Sequence, residues 1–185
     1  MAAIMAGAQD SVSAVYAKQE IRVTLPSTVG SPHTSTLFAA GLETILHNRG
    51  LCCGKNAAIE ESMLSNVASL GELGAALQGK HVLSDGRSVT IHADYTPQSS
   101  ITSDLLISTL LNQKTPLIAW KSHYYVLYGA IYDKTVYTSG AVQYAIGKLL
   151  LWDPRFSDQR SDVEFNRATD DWGQVQGLLT VATAR

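Results

Sequence analysis

The chain has 185 residues, of which 45% are hydrophobic and 16% are charged, and its formal net charge is −2. This length fits one domain with a substantial core, so we predict a single domain over residues 1–185, with residues 1–20 as an N-terminal extension. The sequence holds no basic stretch of the kind that binds nucleic acid. It also holds no apolar run near the ~20 residues of a membrane helix. Composition therefore argues against nucleic-acid binding and membrane insertion.

The two cysteines, Cys52 and Cys53, are adjacent in the chain. Adjacent cysteines do not easily bond to each other, so a disulfide scaffold is excluded and a reducing compartment is expected. The first residues lack the positive charge and long apolar run of a signal peptide. A cytoplasmic location, or delivery by a specialised secretion system, is therefore expected.

In chain order, the first half is predicted to be mainly helical. Residues 1–20 indicate an extension or a loosely docked helix, and residues 21–25 alternate apolar and polar side chains like a short strand. Apolar residues then recur at helical spacing in several segments. Helices are expected over residues 36–49, 54–70, 71–79 and 103–112, with a hairpin of residues 81–83 and 89–91 before the last of them.

The second half is predicted to be an antiparallel sheet. Its apolar runs are rich in β-branched and aromatic residues, which favour strands. Strands are expected over residues 116–120, 123–132, 142–146 and 149–152, with a turn at 133–134 or 139–140. Helices followed by such a sheet indicate an α+β fold.

Cys53 is the candidate nucleophile because it lies where a loop becomes a helix, directly before Gly54. The positive end of the helix macrodipole favours a thiolate there. Cys52 is the weaker candidate because it precedes the helix start. The alternative interpretation is that both cysteines are small hydrophobic residues at a helix start.

A cysteine nucleophile needs a base, and the base needs a group that orients it. His123 opens an apolar strand directly after a polar pair, whereas His33, His81 and His92 are interpreted as surface or edge residues. Asp153 ends another apolar strand. If the two strand ends meet, Asp153 can accept the Nδ1 proton of His123 and leave Nε2 facing the thiol. Asp133 is a rival for the orienting role.

Three segments together resemble a known family. They are Cys-Gly-Lys-Asn-Ala-Ala at residues 53–58, Ser-His-Tyr-Tyr-Val-Leu-Tyr-Gly at residues 122–129, and Leu-Leu-Trp-Asp-Pro at residues 150–154. In this order they resemble the papain-like cysteine peptidases, nearest the bacterial branch of double-glycine leader peptidases and effector proteases. The resemblance covers about residues 45–156.

The resemblance implies a papain-like fold, in which N-terminal helices, with the nucleophile at the start of a central helix, pack on a C-terminal antiparallel sheet. It implies cleavage of peptide bonds by a triad of Cys53, His123 and Asp153, without a cofactor or a metal. It also implies a protein or peptide substrate and, for a toxin or effector, an inhibitor or immunity protein as a partner.

The expected oxyanion-hole residue is absent. The family usually has a Gln about six residues before the nucleophile, where this chain has His47 followed by Asn48. Either side chain can donate a hydrogen bond, and both are our candidates for the oxyanion hole. A relocated amide such as Gln19 is a further candidate.

Three other functions stay open at this point. A related thiol acyl-transfer enzyme (a deamidase, transglutaminase or cell-wall amidase) would use the same triad. A degenerate, non-enzymatic binding domain would explain the altered oxyanion position. A metal site of Cys52, Cys53 and His47 is disfavoured, because the spacing of its cysteines is unlike that of known zinc sites.

Overall fold

The structure is a computed structural model that describes residues 10–25, 41, 45–46, 67–82, 86, 88–153 and 162–184. Within these residues, Gly41, Ile45 and Leu46 are helical, and two α-helices and eight β-strands have defined bounds. The helices are α1 (Leu70–Leu77) and α2 (Ser103–Leu111). The strands are β1 (Val12–Arg22), β2 (Gly79–Val82), β3 (Ser88–Pro97), β4 (Leu117–Trp120), β5 (His123–Tyr137), β6 (Val142–Trp152), β7 (Asp162–Asn166) and β8 (Val175–Ala184).

All eight strands join one antiparallel sheet in the order β2-β3-β8-β4-β5-β6-β7, and β1 pairs with β5 outside this path. The last strand, β8, lies between β3 and β4, so it links the β2–β3 hairpin to the rest of the sheet. No helix among the described residues has the length and apolar character that a membrane crossing requires.

β5 pairs with three other strands, β1, β4 and β6. It pairs with β6 along one edge, and its other edge is shared by two partners. β4 pairs with the first part of β5, from His123 to Val126, and β1 pairs with the remainder, from Gly129 to Tyr137. β5 is therefore hydrogen-bonded on both edges over most of its length.

The sheet carries apolar residues on both faces, because alternate residues of a strand point to opposite sides. On one face, Leu117 and Val126 pack with α1 and with the helical Ile45 and Leu46. On the other face, Ile118, Trp120 and Leu127 pack with α2. Side chains close both helix starts: Ser69 accepts from the N–H of Glu72, and Thr102 accepts from the N–H of Leu105.

The predicted fold class, a papain-like α+β arrangement led by N-terminal helices, is wrong. The described structure is mostly antiparallel sheet, and its first element is a strand, β1, where the sequence indicated an extension or loosely docked helix. Over residues 12–20 the weak helical character yields to pairing with β5, which satisfies the facing backbone groups of both strands. The predicted helices over residues 36–49 and 54–70 lie mostly outside the described residues. Within the second, residues 67–69 are not helical, and Leu70 already belongs to α1. A single domain stays a prediction.

Several local predictions are confirmed. Both described helices, the hairpin of β2 and β3, and β4 occur where the sequence indicated. β5 begins at His123 as predicted but continues to Tyr137, and the two strands expected over residues 142–152 form one strand, β6. β7 lies in a polar region for which no strand was predicted.

Candidate active site

His123 is the first residue of β5 and follows a tight hairpin tip. It pairs with Trp120, so Lys121 and Ser122 alone form the loop between β4 and β5. Their φ angles are 50° and 61°, and two positive values are what a two-residue type I′ turn requires. Neither residue is glycine, so each carries a cost of roughly 1–2 kcal/mol in this conformation. The tip therefore persists because its surroundings hold it.

Contacts from Lys121 provide that support. Its Nζ lies 3.1 Å from Oδ1 of Asp170 and 4.2 Å from the centre of the Trp120 ring. Its backbone N–H donates to the carbonyl of Gln174 at 3.4 Å. The backbone N–H of Asn166 donates to the second Asp170 oxygen at 2.8 Å. This hydrogen bond and the Lys121 ammonium hold the pKa of Asp170 below its ordinary value.

The imidazole of His123 rests on an aromatic cluster. The ring is half-buried and meets the ring of Tyr125 edge to face, with 6.3 Å between their centroids. Tyr125 in turn lies 5.8 Å from Trp120, which contacts Phe165 at 5.3 Å. These rings belong to the core on the α2 face of the sheet. The cluster limits the orientations open to the imidazole.

Asp153 lies at the same end of the neighbouring strand. β6 ends at Trp152, which pairs with Val126, and Asp153 follows with only 2% of its surface exposed. One more step of this register sets Asp153 beside Tyr125, two residues from His123. Diagonal neighbours of this kind have their Cβ atoms about 7–8 Å apart or less, within reach of longer side chains. Asp153 takes part in a hydrogen bond or electrostatic interaction, as a carboxylate at this depth must.

Two other candidates from the sequence are far from His123. Asp133 lies at an exposed position ten residues further along β5, about 30 Å away at ~3.3 Å per residue, and its Oδ1 accepts from the N–H of Lys18 at 2.8 Å. Gln19 pairs with Tyr132, one residue before it. Asp133 as orienter and Gln19 as oxyanion donor were therefore wrong hypotheses for a site at His123.

The remaining predicted site residues lie outside the described part of the chain. These are the nucleophile candidates Cys52 and Cys53 and the oxyanion candidates His47 and Asn48, and their roles stay predictions. The metal alternative falls on the same residues. Among the described residues, no group of three or more His, Cys, Asp or Glu is arranged to hold a metal ion.

An open pocket of about 350 Å³ lies next to the end of β6, lined by residues 22–25 and by Tyr128, Trp152 and Asp162. The Tyr128 hydroxyl donates to Oδ1 of Asp162 at 3.0 Å. Burial, reinforced by this carboxylate, raises the pKa of Tyr128 to about 12. Neither Tyr128 nor Asp162 was a candidate from the sequence, because the first resembles any aromatic residue of a strand and the second lies in a polar region without a predicted element.

Comparison of the chain with protein-family models, with curated proteins and with solved structures found no match.

Proposed function

We propose that the protein is a cysteine peptidase in which Cys53 is the nucleophile, His123 the general base and Asp153 the residue that orients the base. One observation carries this proposal. A carboxylate that is 2% exposed and a half-buried imidazole occupy the same end of two neighbouring antiparallel strands.

The burial of Asp153 is what makes this arrangement informative. A strand end is ordinarily a place where an aspartate can face water. Removing a carboxylate from water is unfavourable unless hydrogen bonds or an opposite charge offset the desolvation. In the proposed site the Nδ1–H of His123 supplies one such hydrogen bond. The carboxylate in return fixes the ring tautomer and stabilises the positive charge that forms on the imidazole during the reaction.

The proposed reaction has two stages. His123 removes the thiol proton, and the Cys53 sulfur attacks the carbonyl carbon of the peptide. As the C–N bond breaks, the protonated His123 gives its proton to the leaving amine, and an acyl-enzyme remains. Water then attacks the thioester while His123 takes a proton from it. The carboxylic acid leaves and the thiolate is restored.

The negative oxygen formed at each stage needs hydrogen-bond donors. We assign the backbone N–H of Cys53 and the side chain of His47 or Asn48 to this task. One well-placed donor is worth about 3–4 kcal/mol in the transition state.

The test begins with thiol reactivity, which needs no knowledge of the substrate. The rate at which iodoacetamide alkylates Cys53 is measured from pH 5 to pH 9 by mass spectrometry, and a peptide mixture is then screened for cleavage. We expect Cys53 to react at pH 6 faster than an ordinary thiol, whose pKa is near 8.5. H123A should abolish this excess reactivity, C53A should abolish cleavage, and C52A should leave both intact.

Other outcomes separate the alternatives. Ammonia release from glutamine-containing peptides without backbone cleavage would favour a deamidase or transglutaminase instead of a peptidase. A Cys53 that reacts like an ordinary thiol, with no cleavage of any peptide, would contradict a catalytic role and favour a binding domain.

A further inference from the structure

We infer that Lys121 is a positioning residue for His123, because it holds the tip of the β4–β5 hairpin against the connection between β7 and β8. This inference rests on the proposed function, in which the placement of the His123 ring decides the reactivity of Cys53.

The geometry places Lys121 between two supports. Its ammonium lies 3.1 Å from the Asp170 carboxylate and 4.2 Å from the centre of the Trp120 ring. Trp120 is the strand partner of His123. The same ammonium therefore contacts both the residue opposite His123 and an acidic group on a separate loop.

The loop that receives Lys121 is itself well fixed. The Asn166 N–H donates to Asp170 at 2.8 Å, and the Asp170 N–H donates back to the Asn166 carbonyl at 2.8 Å. A second link joins the Lys121 N–H to the Gln174 carbonyl. The hairpin tip is thus attached to a turn that hydrogen bonds between Asn166 and Asp170 hold in place.

The backbone of the tip explains why such attachment matters for His123. Lys121 and Ser122 both hold positive φ angles that side chains other than glycine rarely adopt. If the side-chain contacts are lost, the tip can relax toward ordinary angles, and such a change shifts His123, which follows the tip directly in the chain. Catalytic groups tolerate displacements of only about 0.5 Å.

Removal of a surface ion pair that has no positioning role would leave His123 unaffected. The side chain of Lys121 is 47% exposed, and pairs this accessible add little to global stability. Lys148 and Glu164 form a similar pair between β6 and β7, with 2.7 Å between their charged atoms. Both belong to strands and neither is part of the hairpin tip, so K148M is a control that removes an ion pair without changing Lys121 or Asp170.

The experiment compares K121M, D170N, K121R and K148M in the full chain. Iodoacetamide alkylation of Cys53 is measured at pH 6, and the His123 ring is followed by NMR through its Cε1–H signal as pH is varied. We expect K121M and D170N to slow alkylation about ten- to hundredfold and to change the His123 titration, with little change in melting temperature. K121R keeps the charge and the ring contact, so it should restore most of the rate, and K148M should match the wild type.

Equal rates and equal His123 titrations in K121M and the wild type would overturn the inference. A global loss of stability shared by K121M and K148M would also overturn it, since both lysines would then act as general structural contacts. If wild-type Cys53 shows no excess reactivity, the proposed function fails instead. The His123 titration then decides the inference by itself: a change in K121M supports it, and no change overturns it.

Discussion

Val126 of β5 and Trp152 of β6 are direct partners at the end of the antiparallel register between their strands. This pairing determines what lies next to His123. The residue after Trp152 is the buried Asp153, whereas Asp133 pairs with Ala145 toward the far end of the same hairpin. The register thus sets Asp153 near His123 and Asp133 far from it, whereas the sequence had left Asp133 as a rival.

The first prediction concerns these two aspartates. D153A should lower the rate of peptide hydrolysis by about 10⁴-fold, because the imidazole loses the group that holds its productive tautomer. D133A is the matched control and should leave the rate unchanged, since the Asp133 carboxylate accepts a hydrogen bond from the N–H of Lys18, far from His123. The comparison is made by initial rates on one cleaved peptide. Equal losses in the two variants would contradict the assignment of Asp153.

The second prediction concerns the hairpin tip. S122G should raise the free energy of unfolding by about 0.5–1 kcal/mol, because glycine adopts the φ of 61° without the penalty of a side chain. Urea denaturation measures the change. The same replacement at Ser108, within α2, should instead lower stability by about 0.5 kcal/mol, because glycine is a poorer helix former than serine. A destabilised S122G would show that the tip is not strained.

The third prediction concerns the close approach of β1 to β5 at Gly129. A Cβ on Gly129 would lie 2.6 Å from the carbonyl oxygen of Ile21 and 2.9 Å from Cδ1 of Leu150. G129A should therefore destabilise the protein by about 1–3 kcal/mol, the usual cost of overpacking. G147A is the control, because its new methyl group would meet the Ile131 carbonyl oxygen at 3.5 Å, an ordinary contact. Similar melting temperatures for the two variants would contradict the close approach.

Helices and central strands could be predicted from the sequence because their own burial patterns reveal them. α1 and α2 repeat apolar residues at helical spacing, and β4 is buried at every position. The start of β5 at His123 was predictable because the polar Lys121 and Ser122 interrupt two apolar runs.

The elements that the sequence concealed are stabilised by pairing instead of burial. β1 is exposed at nearly every residue, so it has no apolar alternation to recognise. β7 buries one large side chain, Phe165, in an otherwise polar segment. In β5, Asp133 and Lys134 looked like a turn, but both are paired within the sheet. The position of β8 between β3 and β4 depends on contacts between residues distant in the chain, which no local pattern records.

The candidate site could also be predicted only in part. His123 and Asp153 were identified from their places at the ends of apolar runs, and the structure puts both at one end of adjacent strands. The contact between Lys121 and Asp170 joins residues 49 positions apart. Neither residue carried a signal in the sequence beyond its charge.

The fourth prediction concerns alkaline pH. The pKa of Tyr128 is raised from 10 to about 12 in the folded protein, so folding favours the neutral phenol. The stability it contributes should be complete below pH 10 and should be lost as pH rises toward 12. Chemical denaturation of the wild type and Y128F at pH 8 and pH 11 measures this loss, which should be smaller in Y128F.

A second variant tests the cause of that shift. D162N removes the neighbouring charge, and the Tyr128 pKa should then fall while burial keeps it above 10. The titration is followed by phenolate absorbance, as the difference between D162N and the double variant D162N/Y128F. An unchanged pKa in D162N would show that the carboxylate has no part in the shift.

The shared edge of β5 has a consequence for shortened versions of this protein. Because β1 covers the second half of that edge, a chain beginning at Val23 would leave the backbone N–H and C=O groups from Gly129 to Tyr137 open on one side. Exposed strand edges of this length recruit other strands and promote aggregation. Residues 12–22 replace this edge of β5 with the outer edge of β1, which two register irregularities interrupt and which carries Lys18, Glu20 and Arg22. Charges and irregularities of this kind hinder the edge-to-edge pairing of two molecules.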